Sequence, residues 1–160
     1  MLYGMPYERL QRGRWSESSR IYLITTATYD RRPLFQEFAI ASIVAREIRA
    51  ADVAGHWRGI AWVVMPDHVH LLVALRQTSL ARAVGRLKGR TSRLIRLTHP
   101  VVGSVWQGGF HDHAVRREED IHALARYVCA NPIRAGIVAS LRDYPFWDAC
   151  WLDERRQAEA

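Results

Sequence analysis

Trp62–Leu75 reads WVVMPDHVHLLVAL, and its reading decides the fold. Two apolar runs flank a turn-like Met65-Pro66-Asp67, and the second run opens with His68-Val69-His70. In an extended strand successive side chains point to opposite faces. His68 and His70 therefore share one face, and Val69 and Leu71 the other. The loop is short, so Trp57–Val64 and His68–Leu75 are predicted to pair as antiparallel strands. Two imidazoles two residues apart on a strand form a pincer for one divalent metal ion. Taken alone, the motif also reads as two satisfied histidines on a polar sheet face.

Outward from this hairpin, the pattern alternates strands with helices. Ile21–Tyr29 is rich in β-branched and aromatic residues and predicts a buried strand, ended by Asp30-Arg31-Arg32-Pro33. Arg31 and Arg32 at that strand end are candidate phosphate contacts; a solvated turn is the alternative. Apolar residues at helical spacing (Phe38, Ala41, Val44 or Ala45, Ile48) predict an amphipathic helix over Glu37–Val53 that ends near Gly55. Thr78 or Ser79 caps a second helix that runs to about Leu97. Its stripe is Leu80, Val84, Leu87, Thr91 and Leu94. Arg82, Arg86, Arg90 and Arg93 lie on the opposite side, with Lys88 and Arg96 flanking and no compensating acid on that side. Solvated helix faces usually mix both signs, so this one points to nucleic acid.

Val105–Phe110 places aromatics around a glycine pair, and His113–Arg116 is a candidate fourth strand. Glu118-Glu119-Asp120 opens a third helix, with acids in the first turn where the macrodipole favours them. Ile121, Leu124, Ala125 and Val128 form its apolar face. Tyr127 and Asn131 fall together beside that face, four residues apart, and Pro132 closes the helix. Ile133–Val138 is a short apolar segment, and the aromatics of Leu141–Trp151 are expected to cover the core. Residues 1–19 read as a basic arm that orders on a phosphate backbone or as a frayed terminus, and Asp153–Ala160 as a frayed tail. The order predicts one domain over residues 1–160, with its core at about 20–140. Its class is α+β, a ferredoxin-like antiparallel sheet with helices packed on one face.

The chain carries 23 Lys and Arg against 16 Asp and Glu, a formal charge of +7. That balance favours a polyanion, nucleic acid before a membrane surface. Cys129 and Cys150 form neither a disulfide framework nor a zinc spacing, which fits a reducing cytoplasm. No secretory h-region opens the chain, and no run reaches the ~18 apolar residues of a membrane helix.

A tyrosine can attack phosphorus and form a covalent intermediate. A metal ion that polarises the phosphate neutralises charge that builds in the transition state. His68 and His70 can supply two ligands and Asn131 an oxygen. Mixed nitrogen and oxygen ligands suit Mn2+, cellular abundance favours Mg2+, and zinc fits the ligands alone.

His68-Val69-His70 behind its Met-Pro-Asp turn resembles the HUH motif. Trp106-Gln107, Phe110–Arg116 and Tyr127–Val138 follow in the order found in the single-tyrosine HUH transposases, and within them the REP-associated tyrosine transposases. The resemblance covers roughly Tyr22 to Val138. It implies a ferredoxin-like fold, a divalent cation (Mg2+ or Mn2+) and cleavage of single-stranded DNA near REP-like hairpins. Residue by residue, it implies His68 and His70 as metal ligands and Tyr127 as the nucleophile that becomes joined to a 5′-phosphate. Asn131 stands at the position of a third, helix-borne ligand, where relatives can carry Gln. Asp112 and His113 read as contacts to DNA or to the site, or as a strand-entry turn. The resulting expectation is a hairpin-recognising transposase acting in the nucleoid, as a monomer or homodimer. Two other readings remain: a domesticated hairpin-DNA-binding protein, and a zinc-dependent hydrolase that leaves Tyr127 without a role.

Overall fold

The computed structural model describes residues 20–151; the expected N-terminal arm and C-terminal tail lie outside the described residues. The β-branched run forms β1 (Ile21–Ala27), and the first apolar periodicity forms α1 (Phe38–Val53). The hairpin forms as expected, with β2 (Trp57–Val64) and β3 (His68–Leu75) antiparallel and Val64 opposite Val69. Next come α2 (Leu80–Thr98), β4 (His111–Ala114), α3 (Ile121–Cys129), the single turn α4 (Asn131–Arg134) and β5 (Trp147–Ala149). Ser79 caps α2 by accepting a hydrogen bond from the Arg82 amide at 3.2 Å. The strands make one antiparallel sheet in the order β4-β1-β3-β2-β5, with β3 at its centre.

The two-residue period of β3 divides the interior in two. Val69, Leu71, Val73 and Leu75 enter a core built with α1 and α2. Leu72 and Ala74 enter a second core with Ile121, Ala125 and Val128 of α3. The α+β antiparallel architecture is the one expected, with α1 and α2 together on one face. The further helix α3 covers the other face. Ile60, Ala61, Val63, Leu72 and Ala74 make the second face apolar, and the α3 stripe removes it from water. A bulge between Gly59 and Ala61 sets two consecutive residues of β2, Ile60 and Ala61, into the second core.

β1 ends at Ala27, two residues before the expected Tyr29, and the later elements differ too. The fourth strand lies two residues earlier, because His111–His113 pairs with Leu23–Thr25. Asp120 stands ahead of α3 as its N-cap, taking hydrogen bonds from the amides of His122 and Ala123. The aromatic segment does cover core, with Phe146 against one face and Tyr144, Trp147 and Trp151 against the other. It also contributes β5, which no strand pattern announced.

Candidate active site

The hairpin turn that delivers the histidines is held from three sides. Thr28 donates to the Asp67 carbonyl through its amide (2.9 Å) and its hydroxyl (3.1 Å). The Phe35 amide donates to the Pro66 carbonyl at 2.9 Å, and the Met65 amide to the His68 carbonyl at 2.8 Å. His68 and His70 share the phase of Leu72, so both project toward the face covered by α3.

Each imidazole has a partner at Nδ1. His68 Nδ1 donates to the Asp67 carboxylate at 2.6 Å, and the other oxygen of that carboxylate pairs with Arg31 Nε at 3.3 Å. His70 Nδ1 meets the Thr25 hydroxyl at 2.8 Å, across the β1–β3 register that sets these residues opposite one another. The Asp67 bond leaves His68 Nε2 with a lone pair; His70 matches it in the tautomer that donates to Thr25. The two Nε2 atoms face each other at 3.1 Å. Two nitrogens bound to one ion at ~2.0–2.1 Å stand roughly 3–3.4 Å apart, so the pair fits a shared cation. Burial, with the nearby His68, Arg134 and Arg31 charges, pulls the His70 imidazolium down to about 4. His70 is therefore neutral at pH 7, the form that ligates metal.

Arg31 reaches Asp67 from an unusual turn. Asp30 and Arg31 both have positive φ, 55° and 52°, a conformation that costs an L-residue energy and persists where its surroundings impose it.

Tyr127 lies on α3 with its side of the helix open, 51% exposed. The Asn131 Nδ2 donates to the carbonyls of Tyr127 (3.3 Å) and Val128 (3.0 Å), leaving Oδ1 as the acceptor available to a cation. Among the described residues no three His, Cys, Asp or Glu side chains converge as a metal cluster, so a cation held by the pair would need its further donors from an amide oxygen, substrate or water.

The remaining candidates scatter. Asp112 is opposite Ile24 and so lies on the α1–α2 face, away from the histidines. His111 is opposite Thr25, which is itself opposite His70, so these three form a row on the site face. The sequence pattern singled out neither His111 nor Thr25 for the site. His113 donates to Glu119 at 2.8 Å.

The basic side of α2 finds an acid that its own sequence lacks. Glu47 of α1 takes a 2.6 Å ion pair from Arg90, and Arg86 contacts His56 at 2.9 Å. Lys88 donates to the Gln107 and Gly109 carbonyls, 2.6 Å each, and fastens the glycine loop to α2. Arg32 holds the same loop through Val102 (2.8 Å) and Ser104. Arg82 and Arg93 form no ion pair among the described residues. Because α2 packs on the far side of the sheet, its arginines are separated from the histidine pair by the sheet itself.

The family model described as Transposase IS200 like matches residues 16–131, from before β1 to the first residue of α4. The chain belongs to this IS200-like transposase family. An Escherichia coli REP-associated tyrosine transposase is 29% identical over 92 residues, covering 54% of this chain and 50% of the relative. A Haemophilus influenzae relative, provisionally given the same designation, is 27% identical over 99 residues and is covered to 56%. The chain thus spans about half the length of the curated relatives it matches. A solved REP-associated tyrosine transposase, bound to a REP hairpin, superposes with a TM-score of 0.68 at 22% identity. That match covers 84% of this chain and 79% of the other. This last likeness bears on the fold, and it extends the IS200-like architecture over most of the described chain.

Proposed function

We propose that this protein is a metal-dependent endonuclease and strand transferase of single-stranded DNA, recruited by hairpins. The observation that carries the reading is the pair of facing Nε2 atoms, 3.1 Å apart, on the sheet face covered by the helix that bears the exposed Tyr127. In this reading His68 and His70 hold a divalent cation with the Asn131 oxygen, and the ion is Mg2+ or Mn2+. When bound, it withdraws charge from the scissile phosphate.

Tyr127 Oη attacks phosphorus. The Oη–P bond forms as the P–O3′ bond breaks, the phenol gives up a proton and the departing 3′ oxygen takes one. The 5′-phosphate remains on Tyr127 as a phosphodiester. Because that bond replaces an equivalent one, a later 3′-hydroxyl can reverse the step and join strands without ATP. The REP hairpin named for the solved relative supports a hairpin as the recognised partner, and family membership supports action on DNA in the cytoplasm.

The test is incubation with hairpin-bearing single strands and Mn2+, followed by a denaturing gel and peptide mapping. The expected product is a covalent DNA adduct on Tyr127. An adduct mapped to another residue, or cleavage that leaves no adduct, would sink the mechanism.

A further inference from the structure

Tyr127 poses a problem for a nucleophile. At 51% exposure its ring has no apolar enclosure to fix it. An exposed side chain samples several staggered rotamers, and effective attack needs the oxygen held near its target. The fold supplies a clamp from the next turn of chain. Arg134, at the end of α4, reaches back across the break at Ala130. Its Nη2 donates to the Tyr127 carbonyl at 2.7 Å, and its guanidinium carbon lies 4.0 Å from the Tyr127 ring centroid. That is well inside the ~6 Å range of a cation–π contact. One group thus grips both the backbone and the ring of Tyr127. Tyr127 is carried by the helix that covers the histidine face of the sheet, and Arg134 is among the charges felt at His70.

We propose that Arg134 is a positioning residue: anchored on the Tyr127 carbonyl, its guanidinium packs on the ring and holds the phenol in one rotamer toward the histidines. The proposal rests on Tyr127 being the nucleophile. A lysine could keep the charge over the ring but has no planar fork to hold the carbonyl at the same time.

The experiment compares wild type, Arg134→Gln and Arg134→Lys, each with ring-13C tyrosine, using Tyr127→Phe to assign the signal. In Arg134→Gln the Tyr127 ring resonance is expected to move and sharpen as the ring is released. The melting temperature should stay within about 3 °C, since the substitution is at the surface. At saturating hairpin DNA the single-turnover rate of adduct formation should fall roughly 10- to 100-fold. The half-saturating DNA concentration should change by less than about threefold, and Arg134→Lys should recover part of the rate. An unmoved ring resonance overturns the clamp. So does a rise in half-saturating DNA with an intact maximal rate, which would make Arg134 a plain DNA contact, or a rate loss matched by a loss of folded protein. If the wild type forms no adduct, the functional reading fails and the positioning role with it, while the ring spectra still decide whether the clamp exists.

Discussion

Two neighbours that are not histidines aim the histidine pair, and this fixes how it responds to substitution. Asp67 and Thr25 occupy the Nδ1 atoms, so the Nε2 atoms converge. His68→Ala or His70→Ala should abolish cleavage while hairpin affinity largely survives, because affinity comes mostly from phosphate contacts. Full-rate cleavage by the double mutant would count against a metal site. Tyr127→Phe should eliminate the adduct while the melt and hairpin binding stay near wild type; an undiminished adduct would remove Tyr127 from the mechanism. His70 gives a pH signature to the metal-free protein. Its folded value of about 4 lies below the ordinary 6.5, so the fold favours the neutral ring. That contribution is complete above pH 6.5 and is lost as pH falls toward 4. Melts in chelator should therefore show a decline through this window that His70→Gln makes shallower; parallel curves would refute it. The histidines and Tyr127 were legible in the sequence, because their motifs are local. Thr25 was not, because it becomes a partner of His70 through a register 45 residues away in sequence. Arg134 was missed because Pro132 reads as the end of everything helical, whereas the chain makes another turn there.

Among the helices, α2 shows what a single-helix reading omits. Its arginine side lacks an acid along its own sequence, yet α1 supplies Glu47 across the helix pair. Arg82 and Arg93 are therefore the better candidates for phosphate. Arg82→Ala with Arg93→Ala should lower the salt slope of DNA binding by roughly 1.4–1.8, from about 0.7–0.9 per contact. Arg86→Ala with Arg90→Ala should lower it less; equal slopes for wild type and the first pair would assign Arg82 and Arg93 to solvent. The loop before β4 depends on α2 through a buried bond from Trp106 Nε1 to Thr91 Oγ1 at 2.9 Å. Thr91→Val keeps the shape but strands that indole N–H, and should cost about 1–3 kcal/mol in denaturant unfolding. A change near zero would mean the loop finds another acceptor. Strand β5 is invisible in the sequence because three residues carry no measurable alternation, and it exists through the edge of β2 that it covers.

Across the domain, the alternation of elements was enough to specify an antiparallel α+β sheet. What it left out was the second face, since no local pattern says on which side a third helix lands. The answer lies in residues far apart, Ile60, Val63 and Leu72, whose combined apolar surface calls for a cover. The sheet consequently separates the histidine pair from the α2 arginines, so a nucleic acid that touches both has to pass around a sheet edge. The position of β3 carries a different implication. It is the central strand, hydrogen-bonded on both sides, and its residues feed both interiors. Backbone amides in such a strand exchange with solvent only when the whole domain opens. The histidine pair is thus mounted on the slowest-exchanging part of the molecule rather than on a mobile loop. On heating, capacity for the chemistry should persist until cooperative unfolding and vanish with it, with no temperature interval in which a folded molecule has lost its site.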